Sequence, residues 1–385
     1  MRKIRKIKYL HLFGGGIRNA EGLLNWVKER DDSNSHVFFF PYAESNMRRY
    51  SPQIFKYSSM LMFMPQKSFL EKFIFQYRLF KRSEHIIVHA MYFGAKTLTI
   101  LMLNKKFRKK LSWIEWNGDL FLWRLPDISL KNKIKNYVNY RIRQTFTAIG
   151  TVLPCDEPFF RSEFKSDAIC MNTPLGGSKR PLVIMDRLME EKQNKPLSEN
   201  KTVIIQIGHT SYQFENHVKL LMMMKRFSNK DMKLILPLTN GMQGINGQYG
   251  GYEYRRKIIG LCDEIFNGKA VPFLKDVPFE NFLRYTSNVD IYICDVGRTF
   301  GLGNIIYLLY MGKKVFVPAG NPFFDFLTEK GFEIYDTNKI PEMTWEEFIK
   351  PISNVEREWI FERHNEENNK NLWNDFFEML EETQK

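Results

Sequence analysis

Residues 85–119 read HIIVHAMYFGAKTLTILMLNKKFRKKLSWIEWNGD. The stretch holds a β-rich run at 85–89, a helical pattern over 92–103 and a second β-rich run at 112–116. Strand, crossover helix and strand make a βαβ unit, the building block of a parallel sheet covered by helices. The same alternation continues outward. Runs at 9–13, 36–40 and 145–149 predict strands, and 20–28, 68–82 and 131–145 predict helices. From 172 to 200 the chain turns polar and carries glycine and proline (NTPLGGSKRP, then EEKQNKPLSENK), which predicts an interdomain connection with one short helix or strand inside it. The pattern restarts with strands at 202–207, 233–236, 270–273, 291–294 and 315–317. The expected fold class is α/β: two Rossmann-like doubly wound parallel-sheet domains facing a cleft, with a C-terminal helix. The expected limits are 1–172 for the first domain, 173–200 for the linker, 201–350 for the second domain and 351–385 for a helical segment packing back across the domains. In that last segment Trp373, Phe376, Phe377 and Leu380 fall at i, i+3, i+4 and i+7, an apolar stripe that needs a surface to cover it.

A length of 385 residues suits two domains, each with its own core. With 44% hydrophobic and 26% charged residues the composition is globular, which excludes a disordered tail or a fibrous repeat. The most apolar stretch, 85–104, is interrupted by His85, His89 and Lys96, so no membrane-spanning helix is expected. The opening MRKIRKIKYLHLF lacks a signal peptide's apolar region and cleavage site, and the expected location is the cytoplasm. Cys155, Cys170, Cys262 and Cys294 are widely spaced without a CxxC pair and read as reduced thiols rather than disulfides or metal ligands. The net charge of +14 is unevenly held, with +16 in residues 1–170 and −2 in 171–385. The densest basic clusters lie at 2–8, 105–110 and 131–143. A one-sided basic field predicts an anionic partner: a phosphate-bearing ligand, an anionic membrane surface or nucleic acid. A merely solvated basic face is the alternative.

Several strand ends carry chemistry. Gly14, Gly15 and Gly16 follow the first strand and would let an anion approach the backbone at a helix start, although the spacing is not GxGxxG. His89 ends one strand and Asp119 follows its neighbour. Such a pair could deprotonate a sugar hydroxyl, as base and orienter, or could equally be a cap and a satisfied core group. Asp156, in CDEPFF, is either a site residue or a helix N-cap. In the second half Gly208, His209, Thr210 and Ser211 lie between a strand and a helix containing His217, a loop able to hold a diphosphate on backbone amides. The segment RTFGLGN, residues 298–304, is the stronger feature. Gly301 and Gly303 allow close approach, a helix start near Asn304 offers free amides and Arg298 supplies a fixed charge. A glycine-rich turn with a structural arginine is the alternative. There is no P-loop, HExxH, GxSxG or DxD motif. A protein cation at the leaving group would then stand where other enzymes use a metal.

The order and spacing of WIEWNGDLF after a His-ended strand, GHTSYQFENH opening the second half, and RTFGLGN followed by GNPFFDFLTEKG is similar to the bacterial 4-acetamido-4,6-dideoxy-galactosyltransferase family of enterobacterial common antigen synthesis. The likeness runs roughly over 85–331. It implies a GT-B glycosyltransferase that moves an amino or deoxy sugar from a nucleoside diphosphate, TDP or UDP, to a polyprenyl-diphosphate-linked saccharide. Transfer would be with inversion, without metal or other cofactor, by a protein peripheral on the inner face of the cell membrane. Position by position the match covers His89, Gly118 with Asp119, Asp156, Gly208, His217, Tyr254, Arg298, Gly301, Gly303 and Asn321. On the leading reading Asp119 is the first candidate base and His89 the second. Gly208, His209, Thr210, Tyr254, Arg298, Gly301, Gly303, Asn304 and Asn321 would surround the donor, with backbone at Phe273 and Leu274 reading the pyrimidine. The partners implied are the nucleotide sugar, the lipid-linked saccharide and an anionic membrane surface, with no nucleic acid. The loop His209–Thr210–Ser211–Tyr212 and a longer insertion at 241–251 depart from the family where the donor should sit, which leaves sugar and nucleobase open. Where many retaining GT-B enzymes carry paired glutamates, Arg298 and Ile306 stand here, which argues against retention. The alternatives are a polyol-phosphate transferase, which needs two histidines facing the nucleotide, and a nucleic-acid-binding protein, for which no RRM, helix-turn-helix or zinc pattern is present.

Overall fold

Hydrophobic runs alternating with helices fold into two parallel sheets. The computed structural model describes residues 7–14, 17–93, 95–124, 129–174, 180–193, 202–239, 251–275 and 277–383. Gly15, Gly16, most of the basic cluster at 2–8 and the insertion at 241–250 lie outside the described residues. The chain divides into one unit of Met1–Ser178 with Arg363–Lys385 and a second of Lys179–Glu362.

The first unit contains β1 (Ile7–Phe13), β2 (His36–Phe40), β3 (Leu61–Phe63), β4 (Ser83–His89), β5 (Leu111–Ile114), β6 (Ala148–Thr151) and β7 (Ile169–Asn172). Their order in the sheet is β3-β2-β1-β4-β5-β6-β7, all parallel. On one face Leu79, Phe80, Leu98, Trp113, Ile142 and Phe164 share a core with the sheet. On the other, Leu24 and Trp26 pack together with Trp373, Phe376, Phe377 and Leu380 of the helix Glu366–Glu382. The apolar stripe of that helix thus finds its partner in the first unit. Phe377 meets the Tyr9 ring edge-on at 4.7 Å, and Arg30 donates to Asn374 at 2.8 Å. Because the returning segment is acidic, the first unit carries +13 and the second +1.

The second unit contains β8 (Val203–Ile207), β9 (Met232–Pro237), β10 (Ala270–Phe273), β11 (Ile291–Ile293), β12 (Lys314–Val317) and β13 (Ile334–Asp336), in the order β10-β9-β8-β11-β12-β13. The stretch expected as linker carries the helix Arg180–Gln193, which packs on the helix Phe279–Asn288 within the second unit. β3, β7 and β13 were not legible as strands. Each is three or four residues long, stands at a sheet edge and is only partly buried. All four cysteines are free thiols, Cys262 and Cys294 buried and Cys155 and Cys170 half-buried. Among the described residues no helix is long and apolar enough to cross a membrane.

Candidate active site

Where the strand order of a doubly wound sheet reverses, the loops leaving the two flanking strands open a crevice. In the second unit this place lies between β8 and β11. The loop after β8 turns at Gly208, whose φ is +64°. A Cβ there would lie 2.4 Å from Glu215 Oε2 and 2.6 Å from His217 Nε2, so the turn requires glycine. Glu215 is wholly buried and accepts hydrogen bonds from the His209 amide at 2.7 Å, the Thr210 amide at 3.4 Å and the Thr210 hydroxyl. Burial pushes its carboxyl up to about 8, and the Thr210 hydroxyl and the two amides oppose that shift. The His209 ring lies 3.3 Å from the Tyr292 hydroxyl and meets Phe300 at a tilt, 4.7 Å between centroids, and burial lowers it to about 3. His217 is completely buried, 3.3 Å from the Tyr254 hydroxyl, and is lowered to about 4 by burial.

The loop after β11 closes against the first. The Arg298 guanidinium stacks 4.5 Å over the Phe214 ring, which meets Phe300 edge-on at 4.8 Å. Gly301 has φ +69°, and a Cβ there would stand 2.5 Å from the His209 ring. Asn321 is buried behind the loop. Its amide donates to the Val296 and Arg298 carbonyls at 2.8 and 3.0 Å, and its oxygen caps the helix Pro322–Glu329 through the Phe323 amide at 3.0 Å. The helix Leu302–Tyr310 begins at this point, and the first amides of a helix have no partner within it. Gly303, in its first turn, is exposed, with no atom within 4 Å of where a Cβ would lie. A cleft of about 480 Å³ borders the β8 loop, lined by Gln213, Asn216, Lys219, Tyr254 and Lys257 among others.

Gly208, His209, Thr210, Tyr254, Arg298, Gly301 and Asn321 therefore form one connected cluster, with Gly303 and Asn304 at the helix start beside it. Phe273 and Leu274 do not join it. Phe273 ends β10, the edge strand two places from β8, and Leu274 follows it. The Phe273 carbonyl accepts from Leu238 at 2.8 Å and that of Leu274 from Arg255, the residue after Tyr254, at 3.0 Å.

In the first unit the reversal lies between β1 and β4, and the side chains expected to act there are buried. His89, expected at the mouth of the sheet, is 0% exposed and lies flat on the Phe13 ring at 4.3 Å. Its Nε2 is 3.0 Å from His11 Nδ1, and His11 Nε2 is 3.0 Å from His36 Nδ1, a buried row of imidazoles across β4, β1 and β2. Burial lowers His89 to about 3 and His36 to about 4, and His11 falls well below its usual value. Asp119 is also buried. Its carboxylate accepts from the Met91 amide, the Trp116 amide and the Trp113 indole, each at 2.7 Å. Burial raises its pKa while those donors and the Arg143 charge lower it. These contacts hold two strained turns in place, since Ala90 and Asn117 both have positive φ, at 58° and 62°. Neither the His89 nor the Asp119 side chain is exposed, and the bonds of Asp119 tie the loops after β4 and β5 together. Asp156 occupies an N-cap position without a side-chain capping bond, and burial first, then the charges of Asp156 and Asp119, raise the pKa of Glu115. A cleft of about 460 Å³ opens beside β2, β3 and β4, lined by Tyr42, Met64, Phe69, Phe73, Tyr92 and Phe93 among others.

Glu215, Phe214, Phe300, His11 and His36 escaped the sequence reading. The signal for the two histidines was their place inside otherwise apolar strands. Glu215 had none, being one polar residue in a polar loop. Among the described residues no group of three or more His, Cys, Asp or Glu side chains is arranged to hold a metal ion.

No family model matches the chain, and no curated protein sequence does. Solved structures do. The UDP-forming α,α-trehalose-phosphate synthase of Burkholderia vietnamiensis aligns with a TM-score of 0.58 at 8% identity, over 97% of this chain and 100% of that one. The α,α-trehalose 6-phosphate synthase of Burkholderia multivorans gives 0.59 at 9% identity, over 99% and 97%. The N-terminal domain of the Candida albicans trehalose-6-phosphate phosphatase gives 0.57 at 10% identity, over 100% and 98%. At such identities the likeness is one of fold, and the fold is of the GT-B kind: two Rossmann-like units with parallel sheets of seven and six strands.

Proposed function

We propose that the chain is a glycosyltransferase whose second unit binds a nucleoside-diphosphate sugar at the β8 and β11 loops. The observation that carries this reading is the meeting, at the reversal point of the second sheet, of three features suited to a diphosphate. They are a guanidinium fixed on an aromatic ring, the open first turn of the helix Leu302–Tyr310, and space beside Gly303. As the glycosidic bond to the donor breaks, negative charge grows on the leaving diphosphate, and Arg298 with the helix amides is positioned to stabilise it. A donor of this kind is worth about 10²–10³ in rate. No metal is invoked for that step. The resemblance supports the finer reading: inversion, a TDP- or UDP-linked amino or deoxy sugar, and a lipid-linked saccharide acceptor met at a membrane surface. The aromatic cleft of the first unit is of a size and lining that suit a sugar or an apolar chain. A polyol-phosphate transferase would turn two histidines toward the nucleotide, and the complete burial of His217 favours the sugar reading over it.

A thermal-shift series across UDP-, TDP-, GDP- and CDP-sugars tests the proposal. The pyrimidine diphosphates should raise the melting temperature in wild type and not in Arg298→Ala. A chain indifferent to all four would defeat the reading.

A further inference from the structure

The helix Leu130–Arg143 is built inside out. Its buried residues include Asn132, Asn136, Asn139 and Arg143, while Leu130, Ile134 and Tyr137 are 74%, 57% and 62% exposed. The orientation is locked from within, because Arg143 donates to the Asp119 carbonyl at 2.9 Å and to the Asn139 carbonyl at 3.1 Å. Spaced at i, i+4 and i+7, the three apolar side chains make one outward stripe. The helix Phe69–Arg82 repeats the arrangement. Phe69 and Leu70 are 59% and 64% exposed and Phe73 is exposed beside them, while Leu79 and Phe80 face the core. Both helices cover the same face of the first sheet, since Leu79 and Phe80 share a core with Val138 and Ile142. The helix Ala95–Leu103 lies between them, bonded to one through Thr97 and Gln76 at 2.9 Å and packed against the other.

Large apolar side chains in ordered exposed stripes mark an interaction surface. Lys67, Arg78, Lys81, Lys131, Lys133 and Arg141 are interleaved with them and exposed, in a unit of charge +13. That pairing selects the occupant. A second copy of the chain would bring an equally basic face against this one, and a nucleic-acid backbone offers nothing apolar to cover Leu130 or Phe69. Acyl chains beneath anionic headgroups satisfy both requirements.

We propose that the outer faces of the helices Phe69–Arg82 and Leu130–Arg143 insert into the headgroup boundary of an anionic bilayer. This deepens the part of the functional reading that brings the chain to a membrane, and it does not depend on the transfer chemistry. Co-sedimentation of the full chain with phosphatidylcholine vesicles, with and without phosphatidylglycerol, tests it. Wild type should pellet with the anionic vesicles and keep measurable binding at high salt, where attraction by charge alone is screened. The variants Leu130→Ser/Ile134→Ser/Tyr137→Ser and Leu70→Ser/Ile74→Ser should each partition more than about tenfold less and lose the salt-resistant part. Their melting temperatures and thermal response to UDP or TDP should be unchanged, which separates this result from any failure of the donor reading. Variants that partition like wild type would overturn the proposal. So would a wild type indifferent to anionic vesicles, or a self-associated chain that the same variants make monomeric.

Discussion

Each unit sets a buried carboxylate beside the point where its strand order reverses, and the two carboxylates leave opposite surroundings. In the first unit Asp119 is consumed by three N–H donors, and the neighbouring space is filled by His11, His36, His89 and Phe13. In the second, Glu215 draws in the amides of one loop, while the next loop keeps Gly303 and a helix start open. The same topology therefore sets an aromatic-lined cleft beside a carboxylate-tied turn in one unit, and an open helix start with an arginine in the other. What separates them is where the N–H donors are spent: inward on a carboxylate, or outward toward a ligand.

The largest expected effect comes from attacking the two carboxylates. Asp119→Asn replaces one acceptor oxygen with a donor facing N–H groups and should cost roughly 3 kcal/mol by denaturant titration, with donor binding retained. If Asp119 were a catalytic base instead, the variant would melt normally and lose only turnover. Glu215→Ala should cost about 2 kcal/mol and, unlike the Asp119 variant, weaken nucleotide binding as the β8 loop loosens.

Gly301→Ala comes next. The positive φ alone costs about 1–2 kcal/mol, and the added Cβ displaces His209. A fall in melting temperature together with weaker UDP or TDP binding is expected, and an unaffected protein would show that the two loops do not meet as described.

The pH response should also divide the units. His11, His36 and His89 have lowered pKa values in the fold, so the stability they lend is complete above their ordinary value of about 6.5 and is lost as pH falls toward 4 and 3. Glu215 behaves oppositely. Its raised pKa makes its contribution complete below the ordinary carboxyl range and progressively lost as pH rises toward 8. The ring protons of the three histidines should show no NMR titration between pH 8 and 5. Midpoints near 6.5 would place them in water. The smallest effect on stability is expected of Gly303→Ala, which meets nothing in the protein and should leave the melting temperature alone while reducing nucleotide affinity.

The sequence disclosed what depends on local pattern. β1, β4, β8 and β9 are strongly apolar because helices cover both faces of their sheets, and their loops announce themselves through glycine at 208 and 301. Edge strands β3, β7 and β13 are short and half-covered, so their pattern is too weak to read. Asp119 could be singled out but not assigned, because its three donors converge only after the chain returns from 91, 113 and 116. That β10, which ends at Phe273, stands at the edge of its sheet was not legible, because nothing local in a sequence gives strand order. The charge asymmetry was legible in outline. The acidic helix Glu366–Glu382 joining the first unit and the inverted helix Leu130–Arg143 required the fold.

Calorimetric titration of UDP and TDP into wild type and Arg298→Ala tests most directly whether the second unit's open strand end is a diphosphate site. Saturable one-to-one binding to wild type, weakened about tenfold or more in a variant of unchanged melting temperature, is the predicted result. Equal affinity in both proteins would contradict the account.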